Sequence, residues 1–306
     1  MNDFQTIATG LLFPEGPIAL PNGDVLVVEI LAGQLTRIAP DGNKTVVAKT
    51  GGGPNGAAIG PDGKCYVCNN GGFAAVKYGD LLLPGPAHPD TPPGSIQRID
   101  LSSGAVETLY SHAKQTPFWG PNDLVFDDAG GFWFTDFGRS VDRIQHIGSL
   151  YYAKADGSFI EEVVHPLHSP NGVGLSPDGK AVYVAETFTS QVTRFELEAP
   201  GKIRRLQTMS GGTVIGRGGV NQFLDSMAVD AVGNVCVAAP GSGGIIVFAA
   251  DGSSPRHIPL PDFLTTNICF GGPDLCTAFI TLSSSGRLIS MPWPNAGARL
   301  NYLNSD

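Results

Sequence analysis

Basic residues are scarce in this chain: 19 Lys and Arg stand against 28 Asp and Glu in 306 residues, for a net charge of −9. They are scattered rather than clustered, so there is no basic stripe to neutralise a phosphate backbone, and no nucleic-acid partner is expected. Apolar runs approaching the ~18 residues needed to cross a bilayer are missing. The N-terminal MNDFQTIATG has no basic segment leading into an apolar one. A cytoplasmic protein with no membrane partner is expected. Cysteines number five, an odd count, and Cys65, Cys68, Cys236 and Cys269 lie in strand-like runs. The Cys65-x-x-Cys68 pair has no second CxxC partner, and in a strand its two side chains point to opposite faces, so buried free thiols are expected. Long helical periodicity is also lacking. The Gly-rich SGGTVIGRGGVN at 210–221 has neither the GxxxxGK[ST] pattern nor a following helix, and reads as a flexible loop rather than a phosphate cradle.

What the chain has in abundance is turn residues, 41 Gly and 24 Pro, falling at regular positions between β-rich runs. That regularity favours a turn-rich all-β protein over a low-complexity one. One motif recurs six times: an oxygen-bearing side chain opens a short apolar run that ends in a Gly-rich turn. Its heads are Glu15 (PEGPIALPNGDVLVVE), Asn55 (PNGAAIGPDGKCYVCN), Asn122 (PNDLVFDDAGGFWFTD), Asn171 (PNGVGLSPDGKAVYVAE), Asp225 (LDSMAVDAVGNVCVAA) and, in a degenerate copy, Asn267 (TNICFGGPDLCTAFIT). The intervals of 40, 67, 49, 54 and 42 residues suit a four-stranded propeller blade of ~40–50 residues. Two-residue turns such as Asn22-Gly23 and Asp62-Gly63 join the first strand of each copy to a second, VLVVE or CYVCN, and a third commonly follows. A single six-bladed β-propeller domain over 1–306 is expected. The N-terminal FQTIATGLLF would complete the last blade and remove its exposed edge.

Stacked radially, the blades would place all six heads beside a central channel. A head Asn has a structural use, bridging the backbones of neighbouring blades, and Asn55 and Asn267 are assigned that use. Glu15 and Asp225 are different, because two carboxylates converging in a narrow channel repel strongly. A bound cation would relieve that repulsion. With carboxylate and amide oxygens and no suitably placed Cys or His, the ion would be hard, and calcium fits best. Glu15 and Asp225 would balance its charge, and Asn122 and Asn171 would add neutral oxygens.

The phrases FPEGP at 13–17, GPNDLVFDDAGGFWFTDFG at 120–138, SPNGVGLSPDGKAVYVAET at 169–187 and LDSMAVDAVGNVCVA at 224–238 resemble the senescence-marker-protein/gluconolactonase/luciferin-regenerating family. The similarity spans nearly the whole chain. NDLVFD…FTDFG is most similar to the bacterial drug-responsive lactonases, with a more distant likeness to diisopropylfluorophosphatase. The resemblance implies a six-bladed propeller with one catalytic divalent ion, usually calcium with Mg2+, Mn2+ or Zn2+ as substitutes, acting on small-molecule lactones. It maps the metal ligands to Glu15, Asn122, Asn171 and Asp225, with Asn122 serving either as ligand or as substrate contact. The sugar-lactonase branches carry an Arg two residues before this Asn, where the chain has Gly120, which speaks against a polyhydroxylated sugar lactone.

For such a reaction the ion would polarise the lactone carbonyl as water attacks. Asp225 is the candidate catalytic base, through whichever oxygen the ion leaves free; a metal-bound hydroxide is the alternative nucleophile, and the residues do not choose between them. Trp119, Phe137 and His168 are candidate substrate contacts alongside Asn122, although His168 also reads as an ordinary loop histidine and the aromatic residues, Phe118 included, as interblade packing. Asp136 reads as a second calcium ligand, an orienting group or a turn cap, while His146 and Arg143 lie in an insertion that reaches inward or does not. The longest insertion, 71–94, carries Phe73, Tyr78 and Leu81–Leu83 and is expected to cap an apolar pocket. Two other functions stay open: a phosphotriesterase-type hydrolase, and a non-enzymatic propeller in which calcium only ties the blades together. A strictosidine-synthase-like propeller is disfavoured, since those need no metal and are typically secreted with a disulfide.

Overall fold

The two-residue turns close hairpins as their sequences demand, with Gly23 and Gly63 at φ of 91° and 71°, a region costly for any residue with a Cβ. A computed structural model describes residues 3–85, 90–208 and 210–304, and apart from one 3-10 turn at Ile30–Ala32 its regular elements are strands. Most of them form six antiparallel sheets arranged as the blades of a propeller, and the rest pair as three two-stranded hairpins. Blade one runs outward from Pro14–Ala19 through Val25–Glu29 and Gln34–Ile38 to Lys44–Lys49. The inner strands of the next five blades are Pro54–Ile59, Pro121–Phe126, Pro170–Leu175, Met227–Val229 and Thr265–Gly271. Neighbouring inner strands pack side by side around the ring, and Thr265–Gly271 returns to Pro14–Ala19. In the sixth sheet the outer strand is Gln5–Ala8, paired with Arg287–Pro292. No helix among the described residues is long and apolar enough to cross a membrane.

Alternation in each strand sends side chains to both faces of its blade, so each face must meet a neighbour to leave water. Six apolar clusters result, one at each interface between adjacent blades. The interface of blades two and three is the most aromatic, with Tyr66 against Phe126 at 5.0 Å and Phe118 against Phe134 at 5.3 Å. Phe118 is fully buried there and belongs to this core rather than to a pocket. Cys65, Cys68, Cys236 and Cys269 are buried free thiols.

Two segments depart from the sequence-based expectation. Thr213–Arg217 is not a flexible loop but an outer strand of blade four, paired with Gln191–Ala199. Its backbone finds partners there that a free loop would have to seek in water. The chain beyond Trp293 crosses one end of the channel: Ala298 N–H donates to Val229 O and the Asn301 amide to Phe126 O, at 2.9 and 3.0 Å. Tyr302 packs on Phe126, and Leu303 joins the cluster between blades one and two.

Candidate active site

Backbone irregularity aims the motif heads. In five inner strands the pairing slips at the head, between Glu15 and Ile18, Pro54 and Ala57, Pro121 and Leu124, Pro170 and Val173, and Thr265 and Asn267. Such bulges turn side chains out of the regular alternation. Four of the bulged strands begin with Pro, which needs no ladder partner at a first position. The residue after the head is Gly where the next blade comes close: a Cβ on Gly16 would lie 2.6 Å from Asn55 O, and one on Gly56 2.5 Å from Asn122 O.

In the first four blades a second side chain holds the turn leading into the head. At the end of the second strand, Glu29 accepts from Leu12 N–H at 2.7 Å, Asn69 from Gly53 N–H at 2.9 Å, and Glu186 from His168 N–H at 2.7 Å. Asp136 accepts from Trp119 and Gly120 on separate oxygens, at 2.8 and 2.7 Å, and from Gly138 at 2.9 Å. Hydrogen bonds to a charged group are worth ~1.5–3 kcal/mol each. Asp136 thus organises the backbone before Asn122. Burial pushes its carboxyl above the usual range, and the three N–H groups oppose that shift.

The structure brings Glu15, Asn55, Asn122, Asn171 and Asp225 together around a cavity of about 480 Å³ at the upper end of the channel. Asn267 turns away from it: its amide N–H donates to Glu15 Oε2 at 2.8 Å and its oxygen accepts from Ile268 N–H. Asp225 Oδ1 accepts from Ser226 N–H at 3.1 Å, and the Asn171 amide bonds both Asp225 and Thr187 Oγ1. Burial pushes the Glu15 and Asp225 carboxyls upward, and the charge of Glu15 raises Asp225 further. Asn122 Oδ1 is buried without a hydrogen-bond partner.

One buried carboxyl escaped the sequence reading. Asp123 faces the lower end of the channel, where burial, then the charge of Glu15, raises it to about 7. Its signal was available: the residue after the head is Gly in PEG and both PNG copies but Asp in PND. It lines a second cavity of about 340 Å³ that the C-terminal residues Leu300, Asn301 and Leu303 help to enclose, and that contains none of the five converging heads.

The upper site suits a hard cation. Among the described residues two carboxylates meet without a basic side chain bonded to either, and an amide oxygen beside them lacks a partner, a combination that is costly in a dry cavity. Among the described residues no three His, Cys, Asp or Glu side chains gather into one group. The donors that fit are therefore mixed, the carboxylates of Glu15 and Asp225 with the amide oxygens of Asn122 and Asn171.

Apolar walls rise above these donors. Trp119 and Phe137 line the cavity, and Trp119 stacks on His146 at 3.7 Å. Arg139 also lines it, with its guanidinium donating to the carbonyls of Asn70, Thr91 and Pro92. The 71–94 insertion contributes Phe73, packed edge-on against Phe13 at 5.6 Å. Its hairpin, Ala75–Tyr78 and Leu81–Pro84, reaches blade six, where Leu82 N–H donates to Ser284 O at 3.0 Å. Residues 86–89 of this insertion lie outside the described residues. Tyr78 points to solvent and Arg143 is exposed. His168 is exposed and does not line the cavity, because its turn is held through its backbone by Glu186.

Residues 13–284 match the family profile described as the SMP-30/Gluconolactonase/LRE-like region. Lactonase drp35 of Staphylococcus haemolyticus is 27% identical over 252 residues, 81% of this chain and 69% of that protein. A gluconolactonase of Zymomonas mobilis is 26% identical over 292 residues, 87% of this chain and 75% of that one. The same fold occurs in regucalcin from Agrobacterium tumefaciens, described as calcium-binding, with a TM-score of 0.74 at 20% identity over 100% of this chain and 98% of that one.

Proposed function

The chain belongs to the SMP-30/Gluconolactonase/LRE-like family, and from that premise we propose that it is a divalent-cation-dependent lactone hydrolase whose ion, calcium in the first instance, is held by Glu15, Asn122, Asn171 and Asp225. The observation that carries the reading is the pairing of two buried carboxylates with the unpartnered Asn122 Oδ1 at the floor of a cavity open to small molecules. The relatives named lactonase and gluconolactonase supply the reaction class. When bound, the cation supplies Lewis-acid polarisation of the lactone carbonyl and balances the two carboxylates.

The protein's residues do the rest. Trp119 and Phe137 exclude water and hold the ring over the floor. Asp225 accepts from Ser226 N–H and from the Asn171 amide; the oxygen that the ion leaves free takes a proton from the attacking water as the water oxygen bonds to the carbonyl carbon. The ring C–O bond then breaks, and that proton passes to the departing ring oxygen, leaving a hydroxy acid. Asn267 and Gly16 hold Glu15 by hydrogen bonds so that its charge stays in place. The test is hydrolysis of aliphatic, aromatic and sugar-derived lactones by chelated protein, with calcium, magnesium, manganese or zinc restored singly. Metal-restored ring opening is expected. Full activity in the chelated protein would overturn the cation's role.

A further inference from the structure

The cavity floor is polar, but one wall is a continuous row of phenyl rings. Phe137, the residue after Asp136, meets Phe188 edge to face at 5.9 Å and 72°, and Phe188 meets Phe223 at 6.1 Å and 89°. All three line the cavity. Phe137 is half-buried, whereas the central Phe188 and the terminal Phe223 are 64% and 42% exposed, so the row leaves the interior at Phe137 and presents its other two rings to solvent. Phe188 belongs to none of the six interblade clusters. A ring that costs solvation and adds little to folding, continuous with a binding cavity, is placed for a ligand.

The polar side chains of the walls are engaged with the protein: Asn70 Oδ1 accepts from Gly72 N–H, Thr187 Oγ1 accepts from the Asn171 amide, Ser140 bonds Gln145, and Thr266 bonds Thr281 and Ser283. Among the described residues Arg139 is the cation lining the cavity, and three backbone carbonyls already engage its guanidinium. No side chain fits at Gly120, where a Cβ would lie 2.7 Å from Gly138 O. A polyhydroxylated ring would find wall groups whose hydrogen bonds are largely committed, and would lose hydrogen bonds to water with little replacement.

We propose that the Phe137–Phe188–Phe223 row is the subsite for an apolar arm on the lactone ring, so that this protein's substrates are alkyl- or aryl-substituted lactones rather than sugar lactones, with Phe188 setting that preference. The inference rests on the lactonase reading above. The ring sits over the floor donors, and the arm runs outward along the phenyl faces toward solvent.

Two measurements on the full chain test it. The first is kcat/KM, with calcium, for δ-lactones of increasing alkyl length and for gluconolactone. The second is the Kd of 2-alkyl cyclohexanones, unreactive mimics of the ring, followed by tryptophan fluorescence. Expected in both is a gain of roughly fourfold per methylene while the arm contacts the row. The slope should be about halved in Phe188→Ala and largely restored in Phe188→Leu. Lactones opened with no dependence on arm length, or gluconolactone preferred, would overturn the subsite and leave the lactonase reading intact. Ketone affinities that climb with arm length while no lactone is opened would instead uphold the subsite and overturn the lactonase reading.

Discussion

Asn267 donates its side-chain N–H to Glu15 Oε2 at 2.8 Å, joining the last motif head to the first across 252 residues of chain. The contact crosses the seam where the inner strand of blade six meets that of blade one. It fixes the orientation of a carboxyl that burial pushes toward its neutral form, and it opposes part of that shift. Ring closure and the proposed cation site thus share one hydrogen bond, and Asn267→Leu is expected to lower both the melting temperature and the calcium affinity. Calorimetry and a calcium titration of the same variant check this; unchanged affinity would uncouple the two.

Asp225→Asn keeps the shape of the side chain and removes its charge. Turnover should fall by about 10²–10⁴-fold, the range for losing a positioned base. Without calcium the variant should be more stable than the parent by about 1–2 kcal/mol, because the like-charge neighbour of Glu15 is gone. Lactone kinetics and thermal melts in chelator read the two effects separately, and an active variant would refute the assigned role.

Asn122→Ala should have the opposite balance to an ordinary buried deletion. The oxygen it removes has no protein partner, so cation-free stability should change little. Calcium affinity should weaken by about 10–100-fold if that oxygen faces the ion, as for other groups that tune metal sites. Isothermal titration decides the matter; unaltered affinity would remove Asn122 from the ligand set.

Asp136→Ala would strand the N–H groups of Trp119, Gly120 and Gly138. The expected cost is about 2–4 kcal/mol of stability, together with a higher KM as Trp119 and Asn122 lose their mounting. Asp136→Asn should recover part of the stability, since an amide oxygen still accepts on one side. Equal losses in the two variants would argue against this role.

The pH dependence of the cation-free protein follows from carboxyls raised above their ordinary values. Asp123, near 7 when folded, holds a proton that the unfolded chain has released, so folding takes up protons between pH ~4 and ~7. Stability should therefore decline as pH rises through that window, with Glu15 and Asp225 shifting in the same direction. Calcium should reverse part of the decline, because its proposed ligands bind it deprotonated, and its stabilising effect should be larger at pH ~8 than at pH ~6. Thermal melts with and without calcium across this range provide the check.

The six heads, their turns and the count of blades were legible in the linear sequence, because each depends on a few adjacent residues. PNG followed by alternating apolar residues and an Asp-Gly turn folds as a hairpin wherever it sits in the chain. The ends of the second strands, Glu29, Asn69, Asp136 and Glu186, were visible as letters, but their common use was not. It appears only when each strand end meets the turn entering its own blade. Which way a head points was likewise settled in three dimensions: Asn55 faces the cavity, while Asn267 faces Glu15 across the closure. The same holds for His168, held outward through its backbone, for Asp123 below the floor, and for the C-terminal chain over the lower cavity. Periodicity encodes the blade because hydrogen-bonded hairpins are local. Side-chain direction at a bulge, and contacts between residues hundreds of positions apart, exist only once the ring has closed.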